Sequence, residues 1–155
     1  MVIVAPDVGA VKRAKRLAGR LNIPRVEWIY KERRIENEVA NMIINGDVEN
    51  KICFVIDDII DTAGTACKCA DVLEQNGAKE VYMGACHGIL SGPAIERIND
   101  SKFKKVVVTN TLNMSKFKGK TNKIDVIDVS DMCAYAINCS LTGESLSKIM
   151  NLHIN

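Results

Sequence analysis

Asp57-Asp58-Ile59-Ile60-Asp61-Thr62-Ala63-Gly64-Thr65 follows the apolar run Ile52-Cys53-Phe54-Val55-Ile56 and opens a helical pattern that begins near Thr65. Two adjacent acids, a third acid four residues after the first, and a Thr-Ala-Gly-Thr turn make a distinctive strand-to-helix junction. The acids can accept hydrogen bonds from sugar hydroxyls or hold a metal. The small residues let successive backbone N–H groups converge on a phosphate at a positive helix N-terminus. A sugar phosphate needs both halves at once. The competing reading is a polar turn in which an Asp or Thr side chain caps the helix. Gly64 is read as permitting a backbone geometry that a Cβ would hinder, with the Thr62 and Thr65 hydroxyls donating to phosphate oxygens.

On either side of this junction, short apolar runs alternate with amphipathic stretches. Val2 to Ala5 reads as a buried strand. Val8, Val11, Ala14, Leu17, Ala18 and Leu21 recur at helical spacing on one face. Val26 to Tyr30 is a second strand, Lys31 to Glu38 a polar loop, and Asn41 to Asp47 a short strand or ribbon arm. After the strand Ile52 to Ile56 comes a helix over Thr65 to Gln75, stopped by Asn76-Gly77. Val81 to Cys86 and Val106 to Thr109 are strands, with a short helix from Pro93 to Ile98 between them. A lysine-rich connection, Lys116 to Lys123, leads to Ile124 to Val129 and a last helix near Ser130-Asp131. Near-continuous apolar strands alternating with helices predict an α/β fold: one domain over residues 1–155, with a mostly parallel sheet covered by helices on both faces. In such folds ligands sit beyond the carboxyl ends of the strands. Asp7, Lys31, Asp57 and His87 each follow a strand end, so the pattern places them on one rim.

At 155 residues with 47% hydrophobic and 26% charged residues, the chain suits one soluble domain with a sizeable core. A net charge of +2 gives no case for nucleic acid or membrane partners. The basic cluster Lys12, Arg13, Lys15, Arg16 and Arg20 reads as a solvated helix face. No apolar run reaches a membrane-spanning length. The first residues lack the basic region of a signal peptide, so the cytoplasm is the expected compartment. The six cysteines show no metal-binding spacing and read as small buried thiols, with Cys67 and Cys69 on different faces of one helix.

Val55-Ile-Asp-Asp-Ile-Ile-Asp-Thr-Ala-Gly-Thr65 resembles the phosphoribosyl diphosphate signature of type I phosphoribosyltransferase folds. More narrowly it resembles ribose-phosphate diphosphokinase, also called phosphoribosyl pyrophosphate synthetase. Four further stretches resemble the same family in order and spacing. They are Val2-Ile-Val-Ala-Pro-Asp-Val-Gly-Ala-Val-Lys-Arg13, Lys31-Glu32-Arg33, His87-Gly-Ile-Leu-Ser-Gly-Pro-Ala-Ile-Glu-Arg-Ile98 and Val106-Val-Val-Thr-Asn-Thr111. The resemblance runs from Met1 to about Ile149. It covers the C-terminal of the family's two tandem copies of this fold. The N-terminal copy, which in the family brings a second metal ligand, a histidine and most adenine contacts, has no counterpart in these 155 residues.

The resemblance implies transfer of the diphosphoryl group of Mg²⁺-bound ATP to the C1 hydroxyl of ribose 5-phosphate. It assigns the 5-phosphate to Asp61, Thr62, Ala63, Gly64 and Thr65, and the ribose hydroxyls to Asp57 and Asp58. Neighbouring strand residues face opposite ways, so both acids are expected to reach one sugar only because the strand is ending. Asp7 suits Mg²⁺ as a hard oxygen ligand, or alternatively caps the following helix. Lys31 and Arg33 match the head of the family's mobile catalytic loop, where two cations would stabilise the transferring group; a solvated basic loop is the plainer reading. Ser145 and Ser147 match a region contributing to a regulatory phosphate or nucleotide site between subunits, although a helix cap explains Ser145 equally. The family's Arg pair in the preceding helix is Asn138 and Cys139 here, and Ala5 and Ala10 replace a usual Ser and Gly. Homo-oligomers, or association with a full-length subunit, are expected. Two other readings are a nucleobase phosphoribosyltransferase and a non-catalytic subunit that binds ribose 5-phosphate.

Overall fold

A computed structural model describes residues 1–32 and 41–147. Its strands are β1 (Val2–Ala5), β2 (Val26–Glu32), β3 (Asn41–Asn45), β4 (Ile52–Ile60), β5 (Glu80–Gly88), β6 (Phe103–Thr109) and β7 (Ile124–Ile127). Its helices are α1 (Val11–Arg20), α2 (Gly64–Gln75), α3 (Ala94–Asp100) and α4 (Ser130–Thr142). The seven strands form one sheet in the order β3-β2-β1-β4-β5-β6-β7. Every pairing is parallel except β2 with β3. The α/β class and the mostly parallel sheet therefore agree with the sequence reading.

Alternation along β1 shows how both faces are covered. Val2 and Val4 join the core shared with α2 and α3, through Ala66, Cys69, Ala70, Leu73, Ala94 and Ile98. Ile3 and Ala5 point the other way and pack beneath Ala10, Ala14 and Ala18 on the α1 side. All four β1 side chains are buried, as expected for a central parallel strand. Each fully buried Val, Leu or Ile contributes about 1.5–3 kcal/mol through burial. The alanines of α1 let its axis lie close to the sheet. Asn76 and Gly77 end α2 as anticipated, Gly77 in the left-handed region at φ +81°.

Several boundaries differ from the sequence reading: β5 is longer than expected, β6 begins at Phe103 rather than Val106, β7 ends at Ile127 rather than Val129, and three further differences matter more. Val8 does not join the buried stripe of α1. Residues Val8–Ala10 form a single 3-10 turn, whose tighter winding puts Val8 out of phase and leaves it 68% exposed. Lys31 and Glu32, expected in a loop, continue β2 and pair with Met42 and Asn41 of β3. The pairing of β1 with β2 reaches only Ala5–Trp28, so Ile29 to Glu32 form a two-stranded ribbon past the end of β1. A ribbon hydrogen-bonded along one side needs no apolar alternation, which is why its sequence reads as loop. Third, β4 does not end at Ile56 but runs to Ile60, pairing with β5 as far as Gly88.

Among the described residues no disulfide joins the six cysteines, and not all are buried as expected: Cys86 and Cys133 are exposed, while Cys53, Cys69 and Cys139 are buried. Cys67 is half-buried and Cys69 fully buried, in line with different faces of α2. Burial pushes the Cys53 thiol up to about 11, which starves it of thiolate at pH 8. Brief N-ethylmaleimide treatment of the native protein at pH 8 should modify Cys86 and Cys133 first and leave Cys53 unmodified until denaturant is added. Peptide mass mapping reads this directly, and early labelling of Cys53 would contradict the packing described. Among the described residues no helix is long and apolar enough to cross a membrane.

Candidate functional site

The strand order places the site. The chain leaves β1 toward β2 on one side and returns as β4 on the other, so the crossover directions diverge between β1 and β4. A crevice opens at such a switch point, beyond the strands' carboxyl ends. On its β1 side β4 is paired only through Val55, leaving the stretch from Ile56 to Ile60 open there. A cleft of about 290 Å³ occupies this position, lined by Asp7, Asp57, Ile59, Ile60, Asp61, Thr62, Ala63, Gly64, Thr65, Ala66 and Met83. The structure thus brings Asp7 and Asp57 together with the whole Asp61–Thr65 turn. Asp58 does not line this cleft.

Among the described residues no side chain caps α2. The capping alternative for Asp61, Thr62 or Thr65 is therefore not the arrangement adopted, and the first amides of a 12-residue helix keep their donors for another acceptor. The residue before the helix, Ala63, sits in the left-handed region at φ +59° and is buried. A left-handed residue against a helical start curls consecutive N–H groups toward one concavity, the form of an anion nest. Gly64 had been expected to supply that special backbone geometry, and the structure moves it one residue earlier. A Cβ at Gly64 would meet Arg97 Nη1 at 3.4 Å, an ordinary contact, so the turn does not depend on this position being glycine.

Neighbouring segments brace the turn. Arg97 of α3 donates from Nη1 to the Thr62 carbonyl at 2.9 Å. Ser91 Oγ donates to Asp61 Oδ1. The segment carrying Ser91 is tied to the end of β4, since the Ile89 and Leu90 amides both donate to the Ile60 carbonyl, at 2.9 and 3.2 Å. Neither Ser91 nor Arg97 stood out as a site residue by sequence, because each acts across 30 or more residues of chain.

The two acids of β4 behave differently. The Asp57 side chain is 24% exposed and that of Asp58 57% exposed. Burial holds the Asp57 carboxyl above its ordinary range, reinforced by the adjacent Asp58. For Asp58, burial also pushes upward, but hydrogen bonding around the pair and the Arg13 charge outweigh it and hold the carboxyl below its ordinary range. Ionised Asp57 therefore costs the fold stability at neutral pH. Asp58 contributes stability above the unfolded carboxyl value, which is lost as acid protonates it. Arg13, read by sequence as part of a solvated face, instead spans both: Nη1 lies 3.0 Å from Asp57 Oδ1 and Nη2 2.7 Å from Asp58 Oδ2.

The remaining candidates divide. Asp7 follows the capping alternative, with Oδ1 accepting from the Ala10 amide at 2.9 Å, yet it also lines the cleft. Its other carboxylate oxygen has no hydrogen-bond partner among the described residues. One carboxylate oxygen facing a phosphate-sized cleft fits Mg²⁺, which binds one or two carboxylates and completes its shell with waters and substrate phosphates. Among the described residues no group of three or more His, Cys, Asp or Glu forms a protein-only metal cage. His87 is on the same rim, but its Nδ1 hydrogen-bonds Thr111 Oγ1 at 2.8 Å and it does not line the cleft. Lys31 lies on the β2–β3 ribbon, and Arg33 is outside the described residues. Ser145 and Ser147 lie beyond α4, their hydroxyls 2.8 Å apart, with Ser145 Oγ accepting from the Ser147 amide; they are not part of the cleft.

Comparison with known proteins agrees with this geometry. Residues 31–151 match the phosphoribosyl synthetase-associated domain. The chain is 46% identical over 146 residues to ribose-phosphate pyrophosphokinase 3 of Saccharomyces cerevisiae, covering 94% of this chain and 45% of the yeast protein. The crystal structure of phosphoribosylpyrophosphate synthetase from Mycobacterium smegmatis superimposes with a TM-score of 0.84 at 34% identity, over 92% of this chain and 45% of that one. The chain thus spans somewhat under half the length of these relatives. By this match over most of its length, the chain belongs to the phosphoribosyl synthetase-associated domain family.

Proposed function

We propose that this chain is the sugar-phosphate half of a ribose-phosphate diphosphokinase. The observation that carries the proposal is the uncapped α2 N-terminus opening into a cleft that also holds Asp57 and Asp7. The amides and hydroxyls of Asp61 to Thr65 bind the 5-phosphate of ribose 5-phosphate. Asp57 accepts hydrogen bonds from ribose hydroxyls, and Asp58 supports it from the neighbouring position. The reaction forms a bond between the sugar's C1 oxygen and the β-phosphorus of ATP while the bond to the α-phosphate oxygen breaks, giving phosphoribosyl diphosphate and AMP; the C1 hydroxyl proton is released.

Lys31 and Arg33 stabilise charge on the transferred diphosphoryl group, and Asp7 holds Mg²⁺. When bound, Mg²⁺ neutralises the phosphate oxygens. The exposed apolar side chains Val126, Ile127, Met132, Ile137 and Leu141, along β7 and α4, support association with further subunits. Ser145 and Ser147 are proposed to contribute to a regulatory phosphate site within that assembly.

Calorimetric titration of the chain tests the sugar site. Ribose 5-phosphate should bind at least about tenfold more tightly than ribose or inorganic phosphate alone, because both halves of the cleft are engaged. AMP release from Mg-ATP, by the chain alone and mixed with the full-length yeast relative, tests the reaction. Equal affinity for ribose 5-phosphate and phosphate would remove the sugar assignment.

A further inference from the structure

Carboxylates on consecutive strand residues normally point to opposite faces, and two like charges this close repel. Both tendencies work against presenting Asp57 and Asp58 to one pentose. The expectation that the strand ends here does not resolve this, because β4 continues to Ile60. Arg13 supplies a different solution. Its planar fork places one terminal nitrogen on each acid, at 3.0 and 2.7 Å. The Asp58 amide also donates to Asp57 Oδ1, at 2.9 Å. Asp57 Oδ1 is thus engaged by two donors, and no described N–H or O–H donates to its Oδ2, although the Asp57 and Asp58 carboxyls also interact side chain to side chain. One oxygen is anchored and the other is left for a ligand.

We propose that Arg13 is a positioning residue for the pentose: by clamping Asp57 and Asp58 together it fixes the single Asp57 oxygen that accepts a ribose hydroxyl. The proposal rests on the reading of the cleft as a ribose 5-phosphate site. Arg13 reaches this position because it precedes Ala14, which packs α1 onto the sheet over Ile3 and Ala5. Arg13 is 37% exposed, so the ion pair itself contributes little to stability and its removal leaves a folded chain. Lysine cannot replace it fully, since one ammonium lacks the fork that bridges two carboxylates.

The test compares parent, Arg13→Met, Arg13→Gln and Arg13→Lys chains, each shown to melt within a few degrees of the parent. Ribose 5-phosphate and inorganic phosphate are titrated separately. Loss of the clamp should weaken ribose 5-phosphate binding about tenfold in the Met and Gln variants. Inorganic phosphate, held by the Asp61–Thr65 turn, should change less than about twofold, and Arg13→Lys should recover part of the loss. A merely structural or general electrostatic role would weaken both ligands together, and that result overturns the proposal. So does unchanged ribose 5-phosphate binding in both variants. If the parent itself binds no ribose 5-phosphate, the site reading fails before Arg13 is in question.

Discussion

Lys31→Ala is expected to lower turnover by about 10³-fold or more while leaving ribose 5-phosphate affinity within about twofold, as for other cations that act only on a transferring phosphoryl group. Phosphoryl transfer asks little covalent chemistry of a protein and much positive charge around the moving group. The sugar phosphate is assigned to a cleft built from the ends of β1 and β4, the start of α2, and Met83 of β5. Lys31 belongs to a different unit, the β2–β3 ribbon beyond the last residue of β1. Its backbone is held by pairing with Met42, so truncating the side chain leaves the ribbon intact. AMP release measures the rate, and calorimetry with ribose 5-phosphate measures binding. A loss of affinity as large as the loss of rate would place Lys31 in the sugar site and end its assignment to the transferring group.

What the sequence revealed and what it concealed follow from the range of the interactions involved. The β4–α2 junction was legible because its signals are local: an apolar run, two acids, and a small-residue turn within fourteen residues from Ile52 to Thr65. The convergence of Asp7 and Asp57 was legible too, since a parallel sheet puts the carboxyl halves of its strands on one rim, and both line the cleft even though Asp57 lies within β4 rather than past its end. His87 shares the rim but turns to Thr111, a choice made by a hydroxyl 24 residues away. The Arg13 clamp joins residues 44 and 45 positions apart, and periodicity could see only a cation on a helix. Lys31 and Glu32 were misread for a related reason. Their strand is marked by backbone pairing with Met42 and Asn41, and no alternation of apolar residues announces it in the sequence. The backbone of the phosphate turn was misassigned by one residue, because glycine is the usual signal for a left-handed conformation and here alanine carries it.

That alanine gives the second large expectation. Ala63→Val should destabilise the fold by about 2–3 kcal/mol, since a β-branched residue is a true outlier in the left-handed region and its added carbons must enter a filled core. Ala63 is 4% exposed and packed in the same cluster as Val55, Ala66, Leu73 and Met83, so the turn cannot rotate the larger side chain into solvent. The backbone must instead leave φ +59°, which swings the amides at the start of α2 away from their common concavity. Losing one or more charge-assisted hydrogen bonds to the phosphate should weaken ribose 5-phosphate binding by about 100-fold. Ala63→Gly is the matched control. It relieves roughly 1–2 kcal/mol of left-handed strain but gives back a similar amount in unfolded-state entropy and a lost buried methyl group. Its melting temperature should stay near that of the parent and its affinity should be preserved. Thermal melting with calorimetry on all three proteins checks the pair. A valine variant that melts like the parent and still binds ribose 5-phosphate would show that the phosphate does not depend on the left-handed turn.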